Sequence, residues 1–362
     1  MDTPALVIER KRLEANVQKM ADIARNQNVE LRPHTKTHKN PQIAKLQLDA
    51  GASGITVAKL SEAEVMAEGG ISDIFIAYPL VSETKILKAI ELSKRIRLIL
   101  AFDSLEGARR LAEAANQAGV ILEVRMEIDS GLRRTGVLYN EAVELAKKGK
   151  ELAGIKLTGI YTFRGPILDG KPTLEIEEAG RQEGQLMADL AEKLRAADIP
   201  ITDVSVGSTS TYASAAEVKG ITEIRPGTYV FYDRMQEKYH CCSQEECAAA
   251  IHVTVVSKPS NSLLIVDGGS KTFATDVQPG QPPIYLKGFG EIIGHPEMLL
   301  ERLTEEHGMV TVHGETDVQI GDVLQIIPNH ICSTVNLHND VFLQNEDGTL
   351  ERQPVLGRGK LQ

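Results

Sequence analysis

A lysine between two histidines is the first candidate for chemistry in this sequence. Lys36 lies in the stretch 33–39, Pro-His-Thr-Lys-Thr-His-Lys, after a short apolar run and before Asn40-Pro41, a pair typical of a helix start. This pattern places Lys36 where a predicted strand ends in a loop. Burial and nearby cations lower the pKa of such a lysine, and its free amine can form a Schiff base. Taken alone, the stretch is better explained as a solvated basic loop, so the hypothesis depends on the rest of the chain.

Glycines and hydroxyl residues end two later predicted strands. Gly207, Ser208 and Thr209 precede a short predicted helix, and Gly227-Thr228 follows the next strand. Backbone N–H groups and hydroxyls together suit a phosphate dianion, and phosphate sites after the seventh and eighth strands recur in (β/α)8 barrels. A Ser/Thr run alone is more often a helix N-cap. Combined with Lys36, the two loops predict a pyridoxal 5'-phosphate site, in which the cofactor serves as an electron sink.

Three other residues at predicted strand ends have two interpretations each. Arg134 can hold a ring substituent or a substrate carboxylate, or it can lie in a solvated loop. Tyr161 can line the cofactor, or it can pack in the core. Arg164 can bind a carboxylate of a ligand, or it can be a surface residue. The residues themselves leave these alternatives open.

A histidine and a cysteine form a candidate metal pair late in the chain. His330 and Cys332 follow the apolar run 323–327, and on a strand the two side chains would share one face. Imidazole and thiolate suit zinc or a similar divalent ion and leave positions open for substrate. Without context, a His-x-Cys pair is usually chance.

Alternating strand and helix patterns predict an α/β fold, namely a (β/α)8 TIM-type barrel followed by a mainly antiparallel β domain. Eight strand-like runs alternate with helical patterns up to about residue 225. From about residue 245, apolar runs are separated by Gly and Pro, with one helical pattern predicted at 297–306. We therefore predict a barrel over residues 9–240 and a β domain over residues 241–362, which also includes residues 1–8.

Composition narrows the class of protein. The chain has 362 residues and a net charge of -10, which argues against nucleic-acid binding. No apolar run is long enough to span a membrane, and no signal peptide is recognisable. Its four cysteines form no disulfide framework and indicate a cytoplasmic protein. Three of them are clustered, and we interpret these as structural: Cys241, Cys242 and Cys247.

Taken in order, these motifs resemble the D-threonine aldolase and D-serine dehydratase family, which shares the alanine-racemase-type barrel of fold-type III pyridoxal-phosphate enzymes. The resemblance covers essentially the whole chain. Singly each motif is weak, but together they are highly specific. The motifs lie at 33–39, 129–136, 206–209, 225–229, 267–271, 305–308 and 328–332.

The resemblance implies a role for each candidate residue. Lys36 would carry the cofactor as a Schiff base, and Arg134 would approach its phenolic oxygen. His330 and Cys332 would hold a divalent metal (Zn, Mn or Mg) beside the cofactor. A homodimer with active sites near its interface and a small D-amino acid substrate are also implied. The remaining residues expected around the cofactor and its phosphate are Tyr161, Gly207, Ser208, Thr209, Gly227, Thr228 and Tyr229.

Two reactions fit the resemblance. Aldol cleavage of a D-3-hydroxy amino acid to glycine and an aldehyde is the leading prediction, since the stretch 33–39 is similar to bacterial D-threonine aldolases. Dehydration to a 2-oxo acid and ammonia is the alternative, since His-x-Cys is similar to the dehydratases, whereas the best-known aldolases have His-x-Asp. A D-amino acid racemase, with Tyr285 as a second base, and a non-catalytic cofactor carrier are the rival classes.

Overall fold

The computed structural model describes all 362 residues, which pack as two units. One unit comprises Gln18–Lys36, Asn40–Gly227 and Lys360–Gln362. The other comprises Met1–Val17, Thr37–Lys39 and Thr228–Gly359. The predicted boundary between residues 240 and 241 stays a prediction. No helix is long and apolar enough to cross a membrane.

The first unit is a barrel of eight parallel strands, as predicted. A parallel bridge between His34 and Thr56 joins the first strand to the second and closes the ring. The amide N–H of Thr56 also donates to the Pro33 carbonyl, at 2.8 Å. The eight strands, numbered here along the chain, are Glu30–Leu31, Ile55–Val57, Asp73–Pro79, Arg97–Phe102, Leu122–Asp129, Ile155–Tyr161, Asp203–Val206 and Glu223–Ile224.

Helices follow the strands and cover the outside of the barrel sheet. Their apolar faces and the apolar strands form one continuous core, because buried parallel strands need cover on both faces. The longest helix, Ile176–Ala196, buries nine of its residues. The other helices between barrel strands are Pro41–Asp49, Leu60–Glu68, Glu83–Ser93, Leu105–Ala118, Ala142–Lys150 and Tyr212–Ala216. Helix Arg10–Asn26 contributes to both units. Small pairings add strands Val137–Leu138, Ile167–Leu168 and Lys171–Pro172.

The second unit is a mixed, mainly antiparallel sheet, in agreement with the predicted fold class. The first strand of the chain, Ala5–Glu9, pairs antiparallel with Ala249–Ser260 and parallel with Asp340–Gln344. Two short helices belong to this unit, Arg234–Lys238 and Ile331–Val335. Its remaining strands are Leu263–Val266, Gly290–Ile292, Met298–Leu303, Gly308–Val312, Val323–Pro328 and Leu350–Pro354.

The prediction of a helix at 297–306 is wrong. Residues Met298–Leu303 form a strand that pairs antiparallel with Gly308–Val312. Met298 and Leu300 are buried, while the residue between them is half-buried, so the apolar positions follow the two-residue period of a strand. A register shift after Leu300 interrupts that period, which explains why the pattern resembled a helix.

A cluster of buried charges lies inside the barrel. Arg32 and Arg125 both pair with Glu223, at 2.8 and 2.6 Å, and each of these residues is at most 3% exposed. Ser205 donates a further hydrogen bond to Glu223, at 2.5 Å. Burial alone would raise the pKa of Glu223, but the charges of Arg125 and Arg32 outweigh burial and hold that pKa far below its usual value. Glu223 therefore joins the first, fifth, seventh and eighth strands through its side chain.

We expect Glu223→Gln to lower the free energy of unfolding by roughly 3–5 kcal/mol at pH 7, because two buried guanidinium groups lose their counter-ion. The wild-type carboxylate has a depressed folded pKa. Its contribution is therefore complete above the unfolded pKa of about 4.3 and is lost as pH falls below it. Urea unfolding at pH 7 and pH 4 should show a difference between variant and wild type that shrinks in acid. As a control, Glu106→Gln removes an exposed pair with Arg110 and should change stability by about 0.5 kcal/mol or less. Equal losses for the two variants would contradict this account.

Candidate active site

Lys36 lies in a short turn that follows the first barrel strand. The turn, Thr35–Thr37, is a single 3-10 turn, and Lys36 is half-buried in it. The backbone N–H of Lys36 donates to Nδ1 of His34, at 3.3 Å. The buried Thr35 hydroxyl donates to Glu62, at 2.8 Å. These bonds fix the backbone on the amino-terminal side of the lysine.

The aromatic ring of Phe163 brings two of the predicted residues together. Nζ of Lys36 lies 5.2 Å from the centre of this ring, and Cζ of Arg134 lies 5.3 Å from it. Both distances are within the range of cation–π contacts. Sequence analysis singled out the stretch around Phe163 but gave this side chain no role. A phenylalanine just beyond a predicted strand end was the available signal.

A tight turn after the fifth barrel strand positions Arg134. Asp129 accepts hydrogen bonds from the N–H groups of Gly131 and Arg133, at 2.9 and 3.0 Å. Gly136 has a φ of 108°, and a Cβ there would lie 2.4 Å from the backbone nitrogen of Asp129. Only glycine fits such a contact. The Arg134 side chain is exposed, so it is accessible to a ligand as well as to solvent. Both interpretations of Arg134 therefore stay predictions.

Tyr161 packs inside the barrel. It is 1% exposed, and its ring meets that of Phe75 edge-on with centres 4.9 Å apart. Its hydroxyl donates to Glu127, at 2.9 Å. The core-packing interpretation therefore describes its environment, and its contact with a cofactor stays a prediction.

Glu127 is a buried acid that sequence analysis missed, because it is one residue within an apolar strand. It accepts from Thr135 at 2.8 Å as well as from Tyr161, so it links the Arg134 turn to the barrel interior. Burial raises the pKa of Glu127, and the two hydrogen bonds and the charge of Arg134 only partly oppose this effect. The ionised form of Glu127 is thus stabilised by the two hydroxyls that donate hydrogen bonds to it.

The loop after the seventh barrel strand is tightly packed and contacts the loop after the eighth strand. Gly207 has a φ of 84°, and a Cβ there would lie 3.2 Å from Cα of Tyr212. Ser208 and Thr209 are buried, and the Thr209 hydroxyl accepts from the N–H of Gly227, at 3.2 Å. The structure therefore joins the two loops that were predicted to hold a phosphate.

The remaining predicted residues belong to the other unit. Thr228 and Tyr229 lie in the short turn Thr228–Val230, and Tyr229 is fully buried. The Thr228 hydroxyl lies 3.4 Å from Sγ of Cys332, and the Thr37 hydroxyl lies 3.0 Å from the same sulfur. Within this unit, Thr37 and Thr228 thus flank Cys332.

His330 and Cys332 do not alternate along a strand, as the sequence had suggested. The strand ends at Pro328, His330 caps the helix Ile331–Val335, and Cys332 lies in the first turn of that helix. The imidazole and the thiol each shift the other's pKa. Burial lowers the pKa of His330, but the Cys332 thiolate and Asp276 outweigh burial and raise that pKa well above its usual value. Burial raises the pKa of Cys332, and His330 overcomes this effect, so the thiol pKa is lowered.

Two acids that sequence analysis did not single out hold this turn. Asp276 accepts from Nδ1 of His330 at 2.6 Å and from the Ser333 hydroxyl at 2.9 Å. The buried Asp233 accepts from the N–H of Ile331, at 3.0 Å. Asp233 and Asp276 are far from residue 330 in the chain, so no local pattern could have indicated them.

No group of three His, Cys, Asp or Glu side chains in the structure is arranged to hold a metal ion. A metal at His330 and Cys332 would therefore have two protein ligands, with further positions for water or substrate. The donor set fits this arrangement, because Asp276 engages Nδ1 and leaves Nε2 as the second nitrogen of the ring. The clustered cysteines are free thiols, and burial raises the pKa of Cys241 to about 12.

Arg164 is not a surface residue. It is 4% exposed, and its guanidinium donates to the side chain of Gln182 at 2.8 Å and to the carbonyl of Ala179 at 2.6 Å. Both partners belong to the helix Ile176–Ala196. In this structure the guanidinium is held against that helix.

Comparison with known proteins establishes the family. Residues 8–235 match the alanine racemase N-terminal domain, and residues 248–344 match a serine dehydratase domain. The chain belongs to the alanine-racemase-like family of lyases that carry this second domain, which confirms the resemblance found in the sequence.

Named relatives cover nearly the whole chain. D-threonine aldolase from Arthrobacter sp is 31% identical over 97% of this chain and 91% of its own length. D-threo-3-hydroxyaspartate dehydratase from Delftia sp. is 33% identical over 92% of each chain. The crystal structure of D-threonine aldolase from Filomicrobium marinum superposes with a TM-score of 0.88 at 28% identity, covering 100% of this chain and 97% of that one.

Tyr161→Phe tests the link between the barrel interior and the Arg134 turn. Loss of the hydroxyl removes one donor from the buried Glu127 carboxylate, and we expect stability to fall by roughly 1–3 kcal/mol. The raised pKa of Glu127 gives the sign of the pH dependence. The loss should be larger above that pKa, where the carboxylate needs its donors, and smaller in acid, where the group is protonated. Urea unfolding at pH 8 and pH 5 measures both effects. Tyr139→Phe, which removes an exposed contact with Lys193, is the control. A loss independent of pH would contradict this role of Glu127.

Proposed function

We propose that this protein is a lyase dependent on pyridoxal 5'-phosphate and a divalent metal, and that it cleaves D-3-hydroxy amino acids to glycine and an aldehyde, in the manner of D-threonine aldolase. One observation carries the proposal. A half-buried lysine beside Phe163 and Arg134, and a glycine- and hydroxyl-containing loop, both lie at the carboxyl ends of strands in one barrel. Active sites of such barrels lie at this end.

The residues present fit the cofactor. The hydroxyls of Ser208, Thr209 and Thr228 are donors of the kind that a phosphate dianion needs. Lys36 offers an amine for the cofactor aldehyde, and Arg134 offers a charge for its ring oxygen. We assign Tyr161, Gly207, Gly227 and Tyr229 to the surroundings of the cofactor. Pyridoxal phosphate bound there supplies an electron sink for the charge that develops at the substrate Cα.

Each side chain then has a chemical task. The amine of Lys36, once free, accepts or returns a proton at the substrate. Arg134, exposed and held by its tight turn, can bind a carboxylate. A divalent metal at His330 and Cys332 supplies a Lewis acid for the substrate hydroxyl. In aldol cleavage, the hydroxyl loses its proton, the Cα–Cβ bond breaks, and glycine and an aldehyde form.

Dehydration is the second candidate, and Cys332 favours it. In that reaction the α-proton leaves first, the hydroxyl departs as water, and hydrolysis yields a 2-oxo acid and ammonia. Solved structures of D-threo-3-hydroxyaspartate dehydratase include a histidine-to-alanine mutant and a cysteine-to-alanine mutant two positions further on, the latter in the metal-free form. His330 and Cys332 have the same spacing. A homodimeric, cytoplasmic enzyme remains part of the proposal on the basis of the family resemblance and the free cysteines.

Product analysis distinguishes the two reactions. The cofactor-loaded protein is incubated with D-threonine and with D-serine, with and without Mn²⁺ or Zn²⁺. We expect glycine and acetaldehyde from D-threonine in the presence of metal, and Lys36→Ala should lower turnover by roughly 10²–10⁴-fold, the usual contribution of an acid–base residue. A 2-oxo acid with ammonia would instead establish dehydration. No product from either substrate, nor from a 3-hydroxy-D-aspartate, would overturn the proposal.

Asp276→Asn tests the metal pair directly. The asparagine cannot accept the proton of His330 as strongly, so the ring is less well oriented, and we expect metal affinity to fall roughly 10- to 100-fold. Titration calorimetry of the metal-depleted protein with Zn²⁺ or Mn²⁺ measures the change. His330→Ala should abolish the site. Ser333→Ala removes the weaker bond to Asp276 and should have a smaller effect. Unchanged affinity in both Asp276→Asn and His330→Ala would place the metal elsewhere.

A further inference from the structure

The long helix Ile176–Ala196 presents an unusual face to the loop after the seventh barrel strand. Gly180, Glu183 and Gly184 are spaced three and four apart and therefore lie on one side of the helix. A Cβ at Gly180 would lie 2.6 Å from the carbonyl oxygen of Thr211, and a Cβ at Gly184 would lie 2.8 Å from that of Ala215. The two glycines permit a close approach of the backbones, and they flank a single acidic side chain.

That acidic side chain is fully buried and accepts two hydrogen bonds. Oε1 of Glu183 accepts from the backbone N–H of Arg164, and Oε2 accepts from the Thr211 hydroxyl, both at 3.2 Å. Burial raises the pKa of Glu183, and the charges of Arg164 and Arg225 oppose this effect. An apolar side chain would fill the same space without that penalty. We therefore attribute the presence of an acid at this position to the two hydrogen bonds that it accepts.

Thr211 transmits these bonds to Ser208. The Thr211 oxygen accepts from the backbone N–H of Ser208 at 3.1 Å, and it lies 3.0 Å from the Ser208 hydroxyl. Since the Thr211 proton points to Glu183, its oxygen accepts from the Ser208 N–H, and the Ser208 hydroxyl can turn its own proton away from Thr211 toward a ligand. The backbone of Ser208 is thus held by two hydrogen bonds in series, one from Ser208 to Thr211 and one from Thr211 to Glu183 on the neighbouring helix.

We propose that Glu183 and Thr211 are positioning residues of the phosphate site, which hold Ser208 in the orientation that binds a phosphate ester dianion. This inference rests on the proposed function, in which Ser208 and Thr209 bind the cofactor phosphate. Neither Glu183 nor Thr211 contacts the ligand. Their contribution is to affinity for the phosphate group, not for the pyridine ring.

Comparison of pyridoxal phosphate with pyridoxal isolates that contribution, because the two ligands differ only in the phosphate. Thr211→Val keeps the shape of the side chain and removes the hydroxyl. We expect it to weaken pyridoxal phosphate binding by roughly 5- to 100-fold, the effect of one buried donor left without a partner, while pyridoxal binding changes less than about twofold. Thr211→Ser retains the hydroxyl and is the matched control. Absorbance titration of the cofactor-free protein measures both dissociation constants.

Glu183→Gln keeps the inference testable if Thr211→Val does not fold. The amide oxygen must take the Arg164 N–H, so the amide NH2 faces Thr211 and competes with the Ser208 N–H for the Thr211 oxygen. We expect a smaller loss in the same direction, again confined to the phosphorylated ligand.

The outcomes separate the inference from the proposed function. If the wild-type protein binds neither ligand, the proposed function fails. If it prefers pyridoxal phosphate and the variants lose affinity for both ligands equally, or for neither, the positioning role is wrong and the proposed function is unaffected. Selective loss of the phosphorylated ligand, with Thr211→Ser similar to wild type, supports the inference.

Discussion

The barrel depends on one buried carboxylate. Glu223 lies on a strand of only two residues, Glu223–Ile224, which pairs with an equally short first strand, Glu30–Leu31. Because two-residue strands form few backbone hydrogen bonds, the sheet alone holds this side of the barrel weakly. The ion pairs of Glu223 with Arg32 and Arg125 add side-chain connections across the interior. Lys36 and Gly227 follow these two short strands. The same ion pairs therefore stabilise the strand ends from which both candidate loops begin.

In each unit, the candidate residues lie on turns supported by buried acids. Glu62 holds the Thr35 side of the lysine turn, Glu127 holds the Arg134 turn, Glu183 holds the Ser208 loop, and Asp233 holds the backbone of the His330 turn. In each case a carboxylate on a regular element, or at its end, accepts from a loop donor. The loops can therefore expose their reactive groups while their backbones stay fixed.

Sequence patterns predicted the barrel well, because short apolar runs and amphipathic helices alternate with little ambiguity between residues 30 and 224. They failed at 297–306, where a register shift breaks the two-residue period, and at His330-x-Cys332, where the strand ends earlier than its apolar pattern suggests. Lys36 and the loops at Gly207 and Gly227 could be proposed as site residues because each has a local signature. Phe163, Glu127, Glu183 and Asp276 were missed, because their partners are distant in the chain and only the fold brings them together.

Neither packing unit is a continuous piece of chain, and this has a consequence for synthesis. The strand Ala5–Glu9 leaves the ribosome early, but its two neighbours, Ala249–Ser260 and Asp340–Gln344, are made only after the whole barrel. The barrel strands and helices can pair while translation continues, since their contacts are between neighbours in sequence. The amino-terminal strand must remain unpaired until translation is nearly complete. Ala5 to Ile8 are apolar and buried in the folded protein, but during that interval they are exposed. A chaperone would have to shield them as an unpaired strand edge.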